Sequence, residues 1–221
     1  MPKKGLGAMV DYLIATGYLK SESVRNAMLS VDRIFFVSGS DFEFAYSDAA
    51  FPVAYGQTIS APTVVAFMLD KLDVRPGMKV LEVGTGSGYN CALLAELVGP
   101  KGKVITIDII PELVEIAKSN IKKTGKDYPN LEFVSGDGSV GYGKEAPYDR
   151  IIVTAGMPWL TPDHPLVKQL KPDGKLIAPV GSTFFQDLIL YERKTGKSEN
   201  VLAVMFVPLV GKYGFGKRES K

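Results

Sequence analysis

The spacing of hydrophobic residues divides the chain into two parts that differ in their pattern. Residues 6–19 carry apolar side chains at helical spacing, and residues 21–31 repeat the pattern behind Ser21, a predicted helix N-cap. Residues 38–62 show no clear period, although five aromatic residues lie between positions 42 and 55. A long irregular segment inside a compact chain is usually functional. The first part therefore predicts two helices followed by a functional loop.

From residue 63 onward, short apolar runs alternate with helical patterns. This alternation predicts an α/β fold with a doubly wound, mostly parallel sheet, an N-terminal helical extension, and a ligand cleft at the carboxyl ends of the strands. We expect N-terminal helices and a substrate-site segment in residues 1–62, a cofactor-binding unit in residues 63–215, and a tail in residues 216–221, within one compact unit. The glycine-rich stretch from residue 211 is expected to fray. Helices are predicted from residue 63 and over residues 92–98, 111–125 and 165–170, and strands over residues 80–83, 104–108, 131–135, 149–154, 174–180, 184–192 and 201–207.

Bulk composition narrows the class of protein. The 221 residues are 46% hydrophobic and 23% charged, and their formal net charge of +2 gives no electrostatic reason to expect a nucleic acid or an anionic membrane as partner. No apolar run approaches the ~18 residues of a membrane span, and the N-terminus lacks the apolar region of a signal peptide. The single cysteine, Cys91, fits a reducing compartment and is interpreted as a packing residue. We expect a cytoplasmic protein that acts as a monomer.

A glycine-rich turn carries the clearest chemical signal. Gly84, Gly86 and Gly88 follow a predicted strand and precede a predicted helix. Glycine allows the backbone to turn sharply and lets a ligand approach main-chain N–H groups closely. Asp108 and Asp137 end the next two strands, where carboxylates can accept hydrogen bonds from ribose hydroxyls and from an adenine amino group. The pattern predicts a nucleotide-type cofactor at this edge of the sheet.

The type of cofactor can be narrowed by comparing loops. A nicotinamide dehydrogenase would place its third glycine where Tyr89 stands, and a nucleoside-triphosphate loop would continue with Gly-Lys-Ser/Thr, which is absent. The sequence Leu-Glu-Val-Gly-Thr-Gly-Ser-Gly, with acids ending the next two strands, instead resembles the S-adenosylmethionine site of Rossmann-type methyltransferases. That resemblance implies S-adenosylmethionine as cofactor, S-adenosylhomocysteine as its product, and no metal. It implies a cofactor site formed by Glu82, Gly84, Thr85, Gly86, Ser87, Asp108, Ile109, Asp137, Gly138 and Thr154.

The segment before the glycine loop points to the methyl acceptor. Residues 55–62, Tyr-Gly-Gln-Thr-Ile-Ser-Ala-Pro, resemble the signature of protein-L-isoaspartate (D-aspartate) O-methyltransferases. The resemblance covers residues 21–215 and implies methyl transfer to the α-carboxylate of L-isoaspartyl residues, and of D-aspartyl residues, in damaged proteins as a repair step. It places the active-site serine at Ser60 and the substrate site at Thr58, Ile59, Val207, Pro208 and Leu209. Further matches lie in residues 31–33, 36–37, 146–149, 153–156, 169–172, 179–181 and 206–209, and at Tyr46, Asp48 and Pro52.

Some positions depart from the family pattern. Thr63 stands where many relatives carry His, and Val53-Ala54-Tyr55 differs from the usual run. Methyl transfer does not require that His, because a carboxylate with a pKa of about 4 is ionised at neutral pH. The departure therefore bears on peptide affinity and preference.

Two alternatives stay open at the level of sequence. One is a methyltransferase of the same fold with another acceptor. A base-amine enzyme would carry Asn/Asp-Pro-Pro-Tyr/Phe where this chain has Thr154-Ala155-Gly156, and a metal-assisted catechol enzyme would carry clustered acids. The other alternative is a cofactor-binding module that has lost turnover.

Overall fold

The N-terminal part is helical, as its pattern predicts. The computed structural model describes residues 2–216, without the side chains of residues 2–4, 40 and 41. Helix α1 spans Pro2–Ala15 and α2 spans Glu22–Ser30. The Ser21 hydroxyl accepts a hydrogen bond from the Val24 N–H, which confirms the predicted N-cap. Helix α1 ends before residue 19 because Gly17 takes a positive φ of 78°.

The irregular segment that follows contains little regular structure. It holds two short 3₁₀ turns, Arg33–Phe36 and Gly39–Phe44. Strands β1 (Phe51–Pro52) and β2 (Thr58–Ile59) then form a two-residue antiparallel hairpin. Helix α3, Pro62–Leu72, follows directly and has Pro62 in its first turn, where a missing N–H is tolerated.

A seven-stranded sheet forms the centre of the molecule. Its strands are β3 Lys79–Val83, β4 Lys103–Asp108, β5 Leu131–Ser135, β6 Tyr148–Val153, β7 Leu170–Gly181, β8 Gln186–Glu192 and β9 Lys197–Val204, and the remaining helices are α4 Tyr89–Val98, α5 Pro111–Lys123 and α6 Pro165–Lys168. The strand order is β5-β4-β3-β6-β7-β8-β9. The first five strands pair in parallel, and β8 and β9 are added by antiparallel pairing, so the predicted mostly parallel α/β sheet is confirmed.

Alternate strand residues supply two hydrophobic clusters, one on each face of the sheet. Val80 and Val104 face a large cluster shared with α1 to α4, whereas Leu81 and Ile105 face a second cluster that includes α6. The N-terminal helices are thus continuous with the sheet through the larger cluster. No helix within residues 2–216 is long and apolar enough to cross a membrane.

The structure corrects the predicted ends of several C-terminal elements. The helix predicted to residue 170 ends at Lys168, and β7 begins earlier than predicted because Leu170 pairs with Tyr148 before a bulge. Strand β8 begins at Gln186, because residues 182–185 form the turn before it.

Strand β9 occupies Lys197–Val204 rather than residues 201–207. Its exposed polar start pairs with β8, and the chain leaves the sheet after Val204 to run beside Gly156. The expected fraying is wrong for residues 212–215, whose backbone N–H groups donate to the rest of the chain. Residues 217–221 of the predicted tail lie outside the described residues.

Candidate active site

One cleft opens at the carboxyl ends of β3, β4 and β6, the edge at which the sequence predicts a ligand. Its empty volume, open mouth included, is about 980 Å³, which is enough for a nucleoside joined to an amino acid. We call residues 84–87 with Asp108 the cofactor rim, residues 57–60 the acceptor rim, and residues 206–210 the far wall. Among the predicted site residues, those that line the cleft are Thr58, Ile59, Ser60, Gly84, Thr85, Gly86, Ser87, Asp108, Ile109, Gly138, Thr154, Val207, Pro208 and Leu209.

The cofactor rim requires glycine for two reasons. Gly84, Gly86 and Gly88 all have positive φ values, 100°, 52° and 90°. Residues that carry a side chain rarely adopt such backbone angles. A Cβ on Gly84 would also lie 2.3 Å from the Thr154 Oγ1 atom, and one on Gly88 would lie 2.9 Å from the Cβ of Ala117. The turn is therefore closed tightly against its neighbours, and its backbone is what faces the cleft.

Thr154 ties the glycine turn to the neighbouring strand. Its hydroxyl lies 2.7 Å from the carbonyl oxygen of Gly84 and 3.1 Å from that of Val83, and it donates to both. The side chain of Asn120, on α5, holds the other end of the turn by donating to the Ser87 carbonyl at 3.0 Å. The position of the cofactor rim is thus fixed from two directions.

Glu82 lies beneath the cofactor rim and does not line the cleft. It is fully buried, and its carboxylate accepts hydrogen bonds from Asn90 Nδ2 at 2.7 Å and Thr106 Oγ1 at 2.5 Å. Thr106 in turn lies 2.7 Å from the hydroxyl of Thr85. Burial raises the pKa of Glu82 to about 8, although the two hydrogen bonds act in the opposite direction. Glu82 reaches the cleft only through Asn90 and Thr85, both of which line it.

Asp108 ends β4 and faces the cleft, where its position in sequence predicts it. One carboxylate oxygen accepts the Gly86 N–H at 3.1 Å, and the other accepts the Ile110 N–H at 3.0 Å. Burial raises the pKa of Asp108, and backbone N–H groups, including those of Ile110 and Gly86, partly oppose that shift. A carboxylate in this position can still accept further hydrogen bonds from a ligand hydroxyl, because each oxygen has two lone pairs.

Asp137 takes a different position from the one that its sequence suggests. It does not line the cleft, because one carboxylate oxygen accepts the backbone N–H and the hydroxyl of Ser139, and the other accepts the Lys212 N–H at 2.8 Å. Burial alone would raise the pKa of Asp137, but these hydrogen bonds outweigh it and lower the pKa. The neighbouring Gly138 does line the cleft, and Val83 and Ile107 leave no room for a side chain there.

The acceptor rim comes from the β1–β2 hairpin and the turn after it. Thr58, Ile59 and Ser60 line the same cleft as the glycine turn. The N-cap position of α3 belongs to Ala61, and within the described part of the chain no hydrogen bond is formed by the half-buried Ser60 hydroxyl. Its polar hydrogen is therefore free to bind a ligand.

Thr63, in the first turn of α3, is fixed by a side chain that is distant in sequence. The Asp48 carboxylate accepts the Thr63 N–H at 2.8 Å and the Thr63 hydroxyl at 2.5 Å. Because Ala61 has no side-chain oxygen, Asp48 takes the role of the capping group for the first turn of α3.

The far wall is a backbone strip held along Gly156. The Gly156 N–H donates to Val207 at 2.8 Å, and the Leu209 N–H donates back to Gly156 at 2.7 Å. The amide of Phe206 donates to the buried Gln186 side chain at 2.7 Å. This strip brings Val207, Pro208 and Leu209 to the cleft, together with the acceptor rim.

Several residues that line the cleft are absent from the sequence prediction. Tyr89 and Asn90 directly follow the last glycine of the turn. Their position at the start of a helix is the sequence feature that could have identified them as lining residues. Phe206 and Val210 flank predicted substrate residues but carry no chemical signature of their own. The lining residues in this group are Gln57, Val65, Met68, Val83, Tyr89, Asn90, Ile107, Ile110, Ala155, Phe206 and Val210.

The arrangement fits a nucleoside cofactor with an amino-acid end. A glycine turn without side chains, a strand-end carboxylate and a partly apolar cleft meet at one edge of the sheet, and no cluster of metal-ligating side chains occurs within residues 2–216. The fold and the site define a Rossmann-type, S-adenosylmethionine-dependent methyltransferase.

Comparisons with known proteins narrow this class to one family. The family model "Protein-L-isoaspartate(D-aspartate) O-methyltransferase (PCMT)" matches residues 4–214. The protein-L-isoaspartate O-methyltransferase of Methanothermobacter thermautotrophicus is 49% identical over 94% of this chain and 95% of its own length, and that of Pyrococcus horikoshii is 50% identical over 93% of each. The chain belongs to the protein-L-isoaspartate (D-aspartate) O-methyltransferase family.

A solved structure supports the same assignment. The beta-aspartate methyltransferase (PCMT) of Plasmodium falciparum, in complex with S-adenosyl-L-homocysteine, has a TM-score of 0.81 to this chain at 28% identity. The comparison covers 93% of this chain and 98% of that one. Similarity over nearly the whole of both chains extends the family assignment to the N-terminal helices and the acceptor rim, as well as the cofactor fold.

Proposed function

We propose that the protein transfers a methyl group from S-adenosylmethionine to the α-carboxylate of L-isoaspartyl residues in damaged proteins. The proposal extends to D-aspartyl residues, which the family description also names. The observation that carries it is that residues 57–60, which lie within the segment 55–62 that resembles the family signature, and the glycine turn line one and the same cleft. The relatives' shared name argues against both alternatives from the sequence, another methyl acceptor and a module without turnover.

The cofactor rim is proposed to hold S-adenosylmethionine. Backbone groups of Gly84, Thr85, Gly86 and Ser87 would bind it without steric conflict, and Asp108 would accept hydrogen bonds from ribose hydroxyls. Ile109, Thr154 and Gly138 also line the site, and at Gly138 the side chains of Val83 and Ile107 leave no room for a Cβ. Glu82 and Asp137 are proposed to support the residues that line the site rather than to bind the cofactor. The carboxylate of each already accepts hydrogen bonds from protein donors.

The acceptor rim is proposed to hold the isoaspartyl carboxylate. The Ser60 hydroxyl would donate a hydrogen bond to it, with Thr58 and Ile59 beside it and Val207, Pro208 and Leu209 bordering the peptide on the other side. No strong general base is required, because the acceptor is already ionised at neutral pH. When bound, the cofactor supplies an electrophilic methyl group on a sulfonium sulfur. The chain's task is to align the acceptor with that group and to exclude water.

Methylation would make repair possible through a spontaneous step. A methyl ester has a much better leaving group than a free carboxylate, so the neighbouring backbone nitrogen can displace it and close a succinimide. Hydrolysis of the succinimide then returns some residues to normal aspartate. The enzyme therefore has to recognise only the damaged residue and its carboxylate.

The finer points of partner and location are also proposals. We propose a cytoplasmic monomer that takes damaged proteins and peptides as substrates, and neither nucleic acid nor membrane. The net charge of +2 and the buried, free Cys91 support this. We further propose that residues 1–62 present the substrate and residues 63–215 bind the cofactor, as parts of one unit.

The test is labelled methyl transfer to paired peptides. Two peptides of identical sequence, one with L-isoaspartate and one with L-aspartate at the same position, are incubated with labelled S-adenosylmethionine. Labelling of the isoaspartyl peptide alone, in a form released by mild base as expected of an ester, supports the proposal. Equal labelling of both peptides, or of neither, contradicts it.

A further inference from the structure

One charged side chain lies in the interior of the N-terminal part with little to explain it. Arg33 is 0% exposed and forms no ion pair with any residue in the described part of the chain. Burial lowers its pKa to about 10, partly offset by the attraction of Tyr89 and Asp48, so the group stays charged at neutral pH. A buried guanidinium without an acidic partner is costly, since water would solvate it far better. Fold stability alone does not account for it.

The guanidinium clamps the loop that leads to the acceptor rim. Arg33 Nε donates to the Ala45 carbonyl at 3.0 Å, and Nη2 donates to the Ala49 carbonyl at 3.3 Å. These two carbonyls bracket Asp48, whose carboxylate holds the backbone N–H and the hydroxyl of Thr63. Thr63 lies in the first turn of α3, three residues after Ser60. A chain of contacts therefore runs from Arg33 to the start of the helix behind the acceptor serine.

The same guanidinium also contacts the cofactor side. Its Cζ atom lies 5.4 Å from the centre of the Tyr89 ring, a cation–π distance. Tyr89 is the first residue of α4, directly after Gly88, and it lines the cleft. Phe36, from the same short turn as Arg33, packs against this ring at 5.4 Å. Arg33 thus contacts both the loop that leads to the acceptor rim and the ring that follows the glycine turn.

Two polar atoms at this junction have no partner. Within residues 2–216, neither Arg33 Nη1 nor the Tyr89 hydroxyl makes a hydrogen bond, although both atoms are buried. Buried polar atoms are usually satisfied, and those that are not call for an explanation other than stability. A rigid, planar fork that can reach two carbonyls and a ring is what arginine offers and lysine does not.

We infer that Arg33 is a positioning residue that sets the separation between the acceptor rim and the cofactor rim. It contacts neither substrate nor cofactor. It fixes the 45–49 loop, and through Asp48 and Thr63 the start of α3, relative to the ring that begins α4. The inference rests on the proposed function, because it concerns the distance over which the methyl group is transferred.

The test compares Arg33→Lys with Arg25→Lys, a matched change at an exposed position of α2. Turnover of the isoaspartyl peptide and the affinity for S-adenosylhomocysteine, by calorimetry, are measured well below each melting temperature. Because small displacements of reacting groups have large effects, we expect Arg33→Lys to lower kcat by about 10-fold or more, with cofactor affinity within about 3-fold of the parent. Arg25→Lys should change neither quantity.

Two results would overturn the inference. One is an unchanged kcat in folded Arg33→Lys, and the other is a parallel loss of kcat and cofactor affinity, which indicates general damage to the site. If Arg33→Lys does not fold, Asp48→Ala breaks the same chain of contacts at an exposed residue. It is then expected to lower kcat by about 3-fold at unchanged cofactor affinity, and no change would count against the inference.

Hydrogen exchange separates this inference from the proposed function. In Arg33→Lys, the amides of residues 45–63 should exchange faster, whereas those of residues 84–88 should not. Failure of the parent protein to label any isoaspartyl peptide would contradict the proposed function. Exchange that is unchanged in residues 45–63 would instead contradict the positioning role, whatever the substrate is.

Discussion

The cofactor rim and the acceptor rim line one cleft but are held in place by different means. The cofactor rim follows a buried central strand, needs glycine at strained backbone angles, and rests on a buried network around Glu82. The acceptor rim belongs to a two-residue hairpin whose tip, at Tyr55, is 57% exposed. The segments on either side of it are held by single side chains: Arg33 binds the carbonyls of Ala45 and Ala49, and Asp48 binds Thr63.

This difference separates two requirements of the reaction. The cofactor is the same in every turnover, so its site benefits from a rigid backbone. The acceptor is carried on many different proteins, and recognition segments on loops can change without disturbing the scaffold beneath them. The comparison predicts that changes at the cofactor rim abolish binding or shift stability, whereas changes at the acceptor rim act on turnover.

The largest effect is expected from Gly84→Ala. The new methyl group would lie 2.3 Å from Thr154 Oγ1 at a φ of 100°, so the turn must move or the strain must be absorbed. We expect the affinity for S-adenosylhomocysteine to fall by about 100-fold, measured by calorimetry. Gly7→Ala, where a Cβ meets nothing within 4 Å, is the control and should bind normally. Normal binding by Gly84→Ala would show that the cofactor rim is less rigid than its geometry indicates.

Ser60→Ala is expected to have the next largest effect, and on turnover alone. Loss of a hydroxyl aimed at the acceptor should lower kcat/KM for the isoaspartyl peptide by about 10- to 100-fold, since one well-placed donor is worth that much. The affinity for S-adenosylhomocysteine should stay within about 3-fold of the parent. Ser198→Ala, on the exposed edge strand β9, serves as control. Equal losses of turnover and of cofactor affinity in Ser60→Ala would contradict the prediction that the acceptor rim acts on turnover and the cofactor rim on cofactor binding.

Glu82→Gln should change how stability depends on pH. The pKa of Glu82 is raised from 4.5 to about 8, so the folded chain holds this proton more tightly than the unfolded chain does. Between these values the folded state binds more protons, and this carboxyl lowers the free energy of unfolding as pH rises. Glutamine removes the titration and keeps the shape. The stability of the variant relative to the parent should therefore increase from pH 5.5 to pH 8, in denaturant titrations.

The control for this prediction is Glu22→Gln, at an exposed position in the first turn of α2. The stability of this variant is measured over the same pH range, so that the curve of Glu82→Gln can be compared with that of the same substitution at the surface. A curve for Glu82→Gln parallel to that of the parent would mean that the buried network beneath the cofactor rim carries no tightly held proton.

The smallest effect is expected from Thr63→Val. The change removes the hydroxyl that donates to Asp48 but leaves the backbone N–H contact in place. We expect a loss of about 0.5–1 kcal/mol in stability, typical of a weakened helix cap, with a smaller loss of turnover than in Ser60→Ala. Thr161→Val, at an exposed loop position, is the control. A loss of turnover larger than that of Ser60→Ala would give Thr63 a direct role in the reaction.

The two rims also differ in how far sequence alone could predict them. The glycine turn and Asp108 lie within a short, local pattern, so their place at the sheet edge follows from the alternation of strands and helices. Asp137 shows the limit of that reasoning. Its carboxylate is occupied by the amide of Lys212, 75 residues away, and no spacing rule anticipates such a pairing.

On the acceptor side, resemblance to a family supplied what periodicity could not. Ser60 lies in a segment without period, and the neighbouring Ile59 belongs to the larger hydrophobic cluster, which joins residues that are distant in sequence. The contacts of Asp48 with Thr63 and of Arg33 with two carbonyls join irregular segments, where chain direction is set by tertiary contacts. An aspartate and an arginine at positions 48 and 33 do not by themselves predict these partners.

The far wall has a consequence for the order in which the molecule can be made. Its residues 206–210 are followed by amides of Lys212 and Tyr213 that bind Asp137 and Ser139. A ribosome adds residues from the N-terminus onward, so both rims are synthesised long before the strip that closes the cleft between them. The complete cleft, with residues from both rims and from the far wall, therefore exists only after synthesis has passed Tyr213.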